Sequence, residues 1–539
     1  METIIYNGKV YVDKDHFEEA LYIKDGLIVA VGSNQEIMEL AGEGCEKLDA
    51  GGKTILPGFI DSHLHLLSVG EYLVLPRLRD ARTIDELVEI GRKFIEDKPK
   101  LVEGGLIAGG WNQDLFTGEK RMPSRHDLDR ISREIPIIFE RVCGHVATAN
   151  TKALELAGLF DEIPKLEGGT IELEEDGTPS GILNEGEAFS YVARHFPRPS
   201  LEELESYYIS AIDHAVSFGL TSVHSTDARD NNYKEIFELL KKLKREGKLL
   251  LRFRHQINLE EPDNLRDFLA SEYQDESYDE QLYLGPLKLF KDGSLGGRTA
   301  LLSKEYQDEP GNFGIEVISN ERMDELVGLA HEGAMQVVTH VIGDEAASRV
   351  LDSYEKVIKG GNKLRHGLVH TQITDLKLLE RIRDLEVACL VQPIFLDYDL
   401  HIVDDRVGPE LASTSYAFKT MNKLGINTSY GTDSPIEELN PFPGIYCAVT
   451  RKDLEGYPER GHYPDERVSL EEAIDSYTLG GAHIEFNEDR KGRLKPGYLA
   501  DLVILNRDIF TIPEEEIKDL KVELTMVGGR VVYKKDDKK

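Results

Sequence analysis

Thr54-Ile55-Leu56-Pro57-Gly58-Phe59-Ile60-Asp61-Ser62-His63-Leu64-His65 begins as an apolar run and ends on two histidines one residue apart. Read as a strand over 54–59 with a polar exit, it is the first of eight strand candidates. The others are 220–225, 251–257, 285–290, 335–341, 367–371, 388–391 and 426–430. Amphipathic helices separate most of them. Leu204, Tyr208, Ala211, Ile212 and Ala215 share one face behind a Ser200-x-x-Glu203 capping box. Ile236, Phe237, Leu240 and Leu243 make a second such face, and Ala347, Val350, Leu351 and Tyr354 a third, closed by Gly360-Gly361.

Eight strand-then-helix units predict an α/β fold, a closed (β/α)8 TIM barrel, with an open doubly wound sheet as the rival. About 160 residues separate the first two strands, far more than one helix needs. The sequence therefore places an insertion at about 66–198, lying over one barrel mouth, inside a barrel domain of 57–484. The glycine-rich run 104–110 lacks both the G-K-[ST] ending and the G-x-G-x-x-G spacing of phosphate loops and reads as a backbone turn. Both chain ends read as short strands with Asn7-Gly8, Asp25-Gly26 and Gly528-Gly529 at hairpin positions. Residues 1–56 and 485–539 are expected to pair into one composite β-sandwich domain.

Composition narrows the function classes. Across 539 residues, 64 Lys+Arg against 99 Asp+Glu give a net charge of −35, which repels phosphate backbones and anionic lipid. Neither nucleic acid nor a membrane is an expected partner. Cys45, Cys143, Cys389 and Cys447 lie far apart, as suits a reducing compartment. The first residues lack a signal peptide's basic start and apolar run, and no long apolar stretch follows, so the expected location is cytoplasmic. A homodimer is expected only as a common state of soluble enzymes.

The polar residues at strand ends carry the chemistry, because barrel enzymes build their sites there. His63 and His65 point the same way by the period of a strand and can share a metal ion. A lone H-x-H is a weak signal. His340, His370 and Asp433 occupy matching places on the fifth, sixth and eighth candidates, and together they suit zinc, manganese, iron or nickel. Lys288 stands inside an apolar strand, where a lysine is costly unless paired or neutral. It reads either as a salt bridge to Asp292 or as a lysine carboxylated by CO2 that bridges two metals.

With these residues in place the chain resembles the amidohydrolase superfamily, and most closely amidohydrolase family 3, which contains N-substituted formamide deformylases. The motifs run from Pro57 to His65, from Lys288 through Asp292-Gly293 to Gly296, from Thr339-His340 to Asp344, from Arg365-His366 to His370, and from Gly431-Thr432-Asp433 to Pro435. Gly110-Trp111, Gly144-His145 with Asn150, and Lys495-Pro496-Gly497 through Leu502 also match. The resemblance covers nearly the whole chain. It implies one or two metals, usually zinc, held by His63, His65, a CO2-derived carbamate on Lys288, His340, His370 and Asp433. Val369 departs from it, standing where the family often has Glu.

The implied activity is hydrolysis of a C–N amide-type bond, not a peptide bond, in a small molecule. Hydroxide activated by the metal attacks, Asp433 shuttles the proton, and Trp111 or His145 polarises the carbonyl. Alternatives are the same site acting on a cyclic amide, lactone or deaminated ring, and a non-catalytic metal-binding barrel.

Overall fold

A computed structural model describes residues 2–42, 44–141, 146–166, 169–196, 198–275 and 280–535. Its largest sheet has eight strands: β1 (Phe59–Leu64), β2 (Leu220–Arg229), β3 (Arg252–Asn258), β4 (Leu282–Phe290), β5 (Val337–Val341), β6 (Gly367–His370), β7 (Ala388–Val391) and β8 (Thr428–Tyr430). They lie in chain order, each parallel to the next. No ladder joins β8 to β1 among the described residues. Those edges meet instead through Asp433 N–H to His63 O, His65 N–H to Ser434 O and Ser62 Oγ–H to Tyr430 O, each at 2.9 Å. The sheet is therefore a nearly closed (β/α)8 barrel and not the open alternative.

The helices between strands form for the reason their spacing suggests. Tyr233–Arg245 buries Ile236, Phe237, Leu240 and Leu243 on one face. Asp344–Val357 does the same with Ala347, Val350, Leu351 and Tyr354. Ser200 and Glu203 form the expected capping box, with Glu203 N–H 3.2 Å from Ser200 Oγ and Ser200 N–H 2.6 Å from Glu203 Oε2.

Both chain ends build a pair of smaller sheets. One runs Arg530–Lys534, Val522–Val527, Leu502–Leu505, Thr54–Pro57, Lys9–Asp13, His16–Glu18; the other Leu27–Gly32, Ala20–Lys24, Glu2–Tyr6, Glu46–Asp49. Ile5, Leu21 and Ile23 from the second meet Val10, Ile55, Leu502 and Met526 from the first in one core. Arg252 on β3 forks onto Asp501 at 2.6 and 2.9 Å, tying the barrel to this composite layer.

Three expectations need correction. The run 54–59 is not one barrel strand: Thr54–Pro57 pairs with Leu502–Leu505, and β1 starts only at Phe59. Gly58 is the pivot, and a Cβ there would lie 2.2 Å from the Thr221 side chain. Asn7-Gly8 is not a hairpin turn. Asn7, at φ 55°, sends the chain from one sheet into the other, because Glu2–Tyr6 and Lys9–Asp13 each find better partners elsewhere. Asp25-Gly26 and Gly528-Gly529 do join antiparallel neighbours. Finally, most of the glycine run 104–110 is extended, within the strand Leu106–Trp111.

The chain divides into two compact units, 1–68 with 211–539, and 69–210. The second holds a five-stranded sheet ordered Thr170–Leu173, Pro179–Asn184, Val146–Ala149, Ile137–Arg141, Leu106–Trp111. Its core packs Phe94, Leu106, Trp111, Leu128 and Phe139. Cys45, Cys389 and Cys447 are free thiols. No described helix is long and apolar enough to cross a membrane.

Candidate active site and metal centre

Several barrel strands deliver a polar residue where the apolar run ends: His63 on β1, His340 on β5 and His370 on β6. His63 Nε2 and His65 Nε2 both stand 3.3 Å from Asp433 Oδ1. These three residues are the group among the described ones whose ligand atoms could hold a metal ion. The His370 ring lies 5.7 Å from that of His63 and 4.4 Å from that of His340, centre to centre. His340 and His370 thus continue the histidine cluster beyond the tighter group.

Hydrogen bonds decide which ring nitrogen faces inward. Gln256 Nε2 donates to Ser62 O at 2.9 Å, so its Oε1 must accept from His63 Nδ1–H at 2.6 Å. Gln392 Nε2 donates to Leu390 O, and its Oε1 accepts from His370 Nδ1–H at 2.7 Å. His65 Nδ1 is 3.3 Å from the Thr226 carbonyl, and His340 Nε2 donates to Gly293 O at 3.0 Å. Each ring so held keeps its second nitrogen as a lone pair. Burial first, and the Lys288 charge second, keep His63 well below the ordinary imidazole range. The same causes pull His340 to about 3, and burial with His340 lowers His370.

Asp433 Oδ1 therefore meets two imidazole lone pairs and has no hydrogen-bond donor. Three electron-rich atoms converging without a proton repel one another, and a cation among them reverses the sign. Imidazole nitrogen with carboxylate oxygen is a donor set suited to zinc and its neighbours. The residues present fit a divalent metal.

Lys288 is wholly buried and makes no ion pair among the described residues; its Nζ lies 3.8 Å from the Phe290 ring centre. A salt bridge to Asp292 is ruled out by what Asp292 does instead, accepting from the backbone N–H groups of Leu301, Ile342 and Gly343. Lys291 turns away to Glu316 Oε1 (2.6 Å) and Ile318 O (2.7 Å). Burial pulls the Lys288 amine down to about 7, against the opposing attraction of Asp433, Glu260 and Asp292. Its charge lowers His63, His340 and His370 alike.

Trp111 is corrected. It is fully buried in the core of the 69–210 unit, and its Nε1–H is spent on Phe139 O at 2.8 Å, so no donor is left for a substrate. His145 lies outside the described residues. Val369, in place of the family's Glu, packs with Val338, Ala388 and Leu390. Sequence reading missed Gln256 and Gln392. Gln392 follows β7 directly and could have been found by the strand-end rule that found His370.

A cavity of about 300 Å³ opens on this centre. His340, His370 and Asp433 line it together with Phe395, Tyr398 and Ile436, Phe395 stacking on the His370 ring at 5.8 Å.

A parallel barrel whose strand ends converge imidazoles, a carboxylate and an unpaired lysine above a small cavity defines a metal-dependent hydrolase. Residues 46–533 match the Amidohydrolase family, and the chain belongs to that family. It is a hydrolase acting on carbon–nitrogen bonds. It is 32% identical over 544 residues to the putative amidohydrolase YtcJ of Bacillus subtilis, covering 99% of this chain and 100% of that one. It is 26% identical over 537 residues to the N-substituted formamide deformylase of Arthrobacter pascens, covering 96% and 95%. Among solved structures, an uncharacterized metal-dependent hydrolase from Pyrococcus furiosus superimposes with a TM-score of 0.79 at 30% identity, covering 94% of this chain and 99% of that one.

Proposed function

We propose that the chain hydrolyses a non-peptide amide bond of a small molecule at a centre held by His63, His65, Lys288, His340, His370 and Asp433. The observation that carries this reading is the convergence of His63, His65 and Asp433, whose Oδ1 meets no hydrogen-bond donor. The nitrogen-rich donor set favours zinc, as one or two ions. When bound, the metal supplies a water of lowered pKa and polarises the amide carbonyl.

The protein's own groups do the rest. Asp433 Oδ1, free of hydrogen-bond donors, takes the proton of the attacking water and gives it to the leaving amine nitrogen. Gln256 and Gln392 hold the His63 and His370 rings in one tautomer and orientation. Lys288 in its neutral form would add through Nζ to the carbon of CO2 and lose a proton, giving a carbamate whose negative charge would replace a cation beside the histidines. The cavity of about 300 Å³ suits a small substrate. On this reading the barrel, 57–484, carries the chemistry, and the composite domain, 1–56 with 485–539, supports it.

Metal analysis followed by a hydrolysis screen tests the proposal. The screen spans N-acyl and N-formyl amines, cyclic amides, dipeptides and lactones. Stoichiometric transition metal with turnover of a simple amide is expected. Failure to bind zinc or manganese removes the centre, and a metal-loaded protein that cleaves only lactones or dipeptides removes the amide assignment.

A further inference from the structure

The lining of the catalytic cavity carries a second kind of chemistry. Asp399 and Glu437 line it together with Phe395, Tyr398 and Ile436. Asp399 is 9% exposed and rigidly presented: its Oδ2 accepts from Gln372 Nε2 (2.8 Å) and Tyr416 OH (2.7 Å). Its Oδ1 takes no hydrogen bond among the described residues. Glu437, half-buried, accepts no hydrogen bond on either oxygen, and no Lys or Arg pairs with Asp397, Asp399 or Glu437, among the described residues. Asp397, nearby, is capped only by the Leu454 N–H at 2.6 Å.

Carboxylates so placed are uncomfortable alone. Burial first, then the charges of Asp397, Asp399 and Asp433, push Glu437 up to about 7, and burial pushes Asp399 up to about 6. A cation in the cavity relieves both. An organic cation fits better than a bare metal ion, which needs several converging oxygens where this cavity sets two carboxylates beside apolar walls. The adjoining walls are aromatic and aliphatic, which suits an alkylammonium: methylenes against Phe395 and Ile436, and the charge near the Tyr398 face and the two carboxylates.

We propose that Asp399 and Glu437 select substrates whose amide carries a second, protonated amino group. This deepens the amide-hydrolase reading and rests on it for the word substrate, but ammonium binding can be measured by itself. The probe is butylammonium against butan-1-ol, titrated calorimetrically into the metal-loaded protein at neutral pH. Butylammonium is expected to bind at least about tenfold more tightly, and Glu437→Gln to remove most of that preference. Amine ligation of the metal would be indifferent to Glu437→Gln, so a preference that survives the substitution overturns the proposal, as does equal binding of the two probes by the unaltered protein. This second comparison needs no variant to fold. In a parallel kinetic arm, an N-acetyl alkylamine ending in ammonium should exceed its methyl-ended isostere about tenfold in kcat/KM, mainly through KM. Ammonium preference in binding without turnover of any amide removes the hydrolase reading while leaving this site. Turnover that ignores the terminal charge removes this site while leaving the hydrolase.

Discussion

Asp433 sits at φ 57°, in the left-handed region, and that turn is what swings Oδ1 to within 3.3 Å of two imidazoles. Asp433→Asn keeps the shape and removes the capacity to take a proton. We expect kcat to fall about 10²–10⁴-fold with metal still bound through the four histidines, checked by turnover and metal content on the same sample. An Asn variant with full kcat would show that another group moves the proton. Lys288 makes an equally local prediction. A buried amine at about 7 is partly neutral at physiological pH, and only the neutral amine reacts with CO2. Protein equilibrated with ¹³C-bicarbonate should show a carbamate carbon by NMR, and Lys288→Met should lack it. A silent spectrum for the metal-loaded protein would leave Lys288 as a plain buried amine.

At the scale of elements, His366 shows how a side chain outside the site joins two strands. It stands just before β6 and its Nδ1 accepts from Val337 N–H, the first residue of β5, at 3.0 Å. Nε2 therefore carries the ring proton and faces His331 Nδ1 at 3.0 Å. Burial first, and the His331 charge second, pull His366 down to about 3. The folded protein thus binds this proton less readily than the unfolded chain, whose imidazole titrates near 6.5. Its contribution is full above about 6.5 and is lost as pH falls toward the folded value. Compared with His366→Gln, the unaltered protein should lose about 1.4 kcal/mol of relative stability per pH unit below pH 6.5, read from urea midpoints at three pH values. Parallel lines would show that His366 does not titrate differently on folding.

The same scale shows what was legible beforehand. Helix faces and strand exits could be read because burial has a period, and polar residues that break it stand out, as His340 and His370 do. Pairing partners could not be read. Nothing local in 54–59 says that Thr54–Pro57 joins a strand more than 440 residues away, and the Asn7-Gly8 turn is the same dipeptide whether its flanks pair with each other or with different sheets. Trp111 went astray for a related reason, since a lone indole looks alike whether its N–H meets a substrate or Phe139 O.

For the whole molecule, the consequential feature is the seam of the barrel. Seven strand pairs are held by ladders, while β8 and β1 are joined by individual hydrogen bonds and by Asp61, which accepts from the Thr432 N–H and hydroxyl. The residues that would hold the metal most tightly straddle this seam: His63 and His65 at the end of β1, and Asp433 just beyond β8. Metal binding is then expected to be coupled to barrel closure. An ion that binds only the closed form stabilises it by RT ln(1 + [metal]/Kd), about 4 kcal/mol at a thousandfold excess over Kd. Without the ion, two lone pairs and a carboxylate press against each other across the weakest joint in the sheet. Chelation should therefore raise amide hydrogen exchange first at residues 59–65 and 428–434, with β3 through β6 protected as before, and restoring the metal should reverse it. The −35 charge adds a control: exposed repulsion is screened at about 1 M salt, where the Debye length is about 3 Å, whereas buried lone pairs are not. Exchange that rises uniformly around the barrel, or that high salt abolishes, would place the effect of the metal on overall charge and not on the seam.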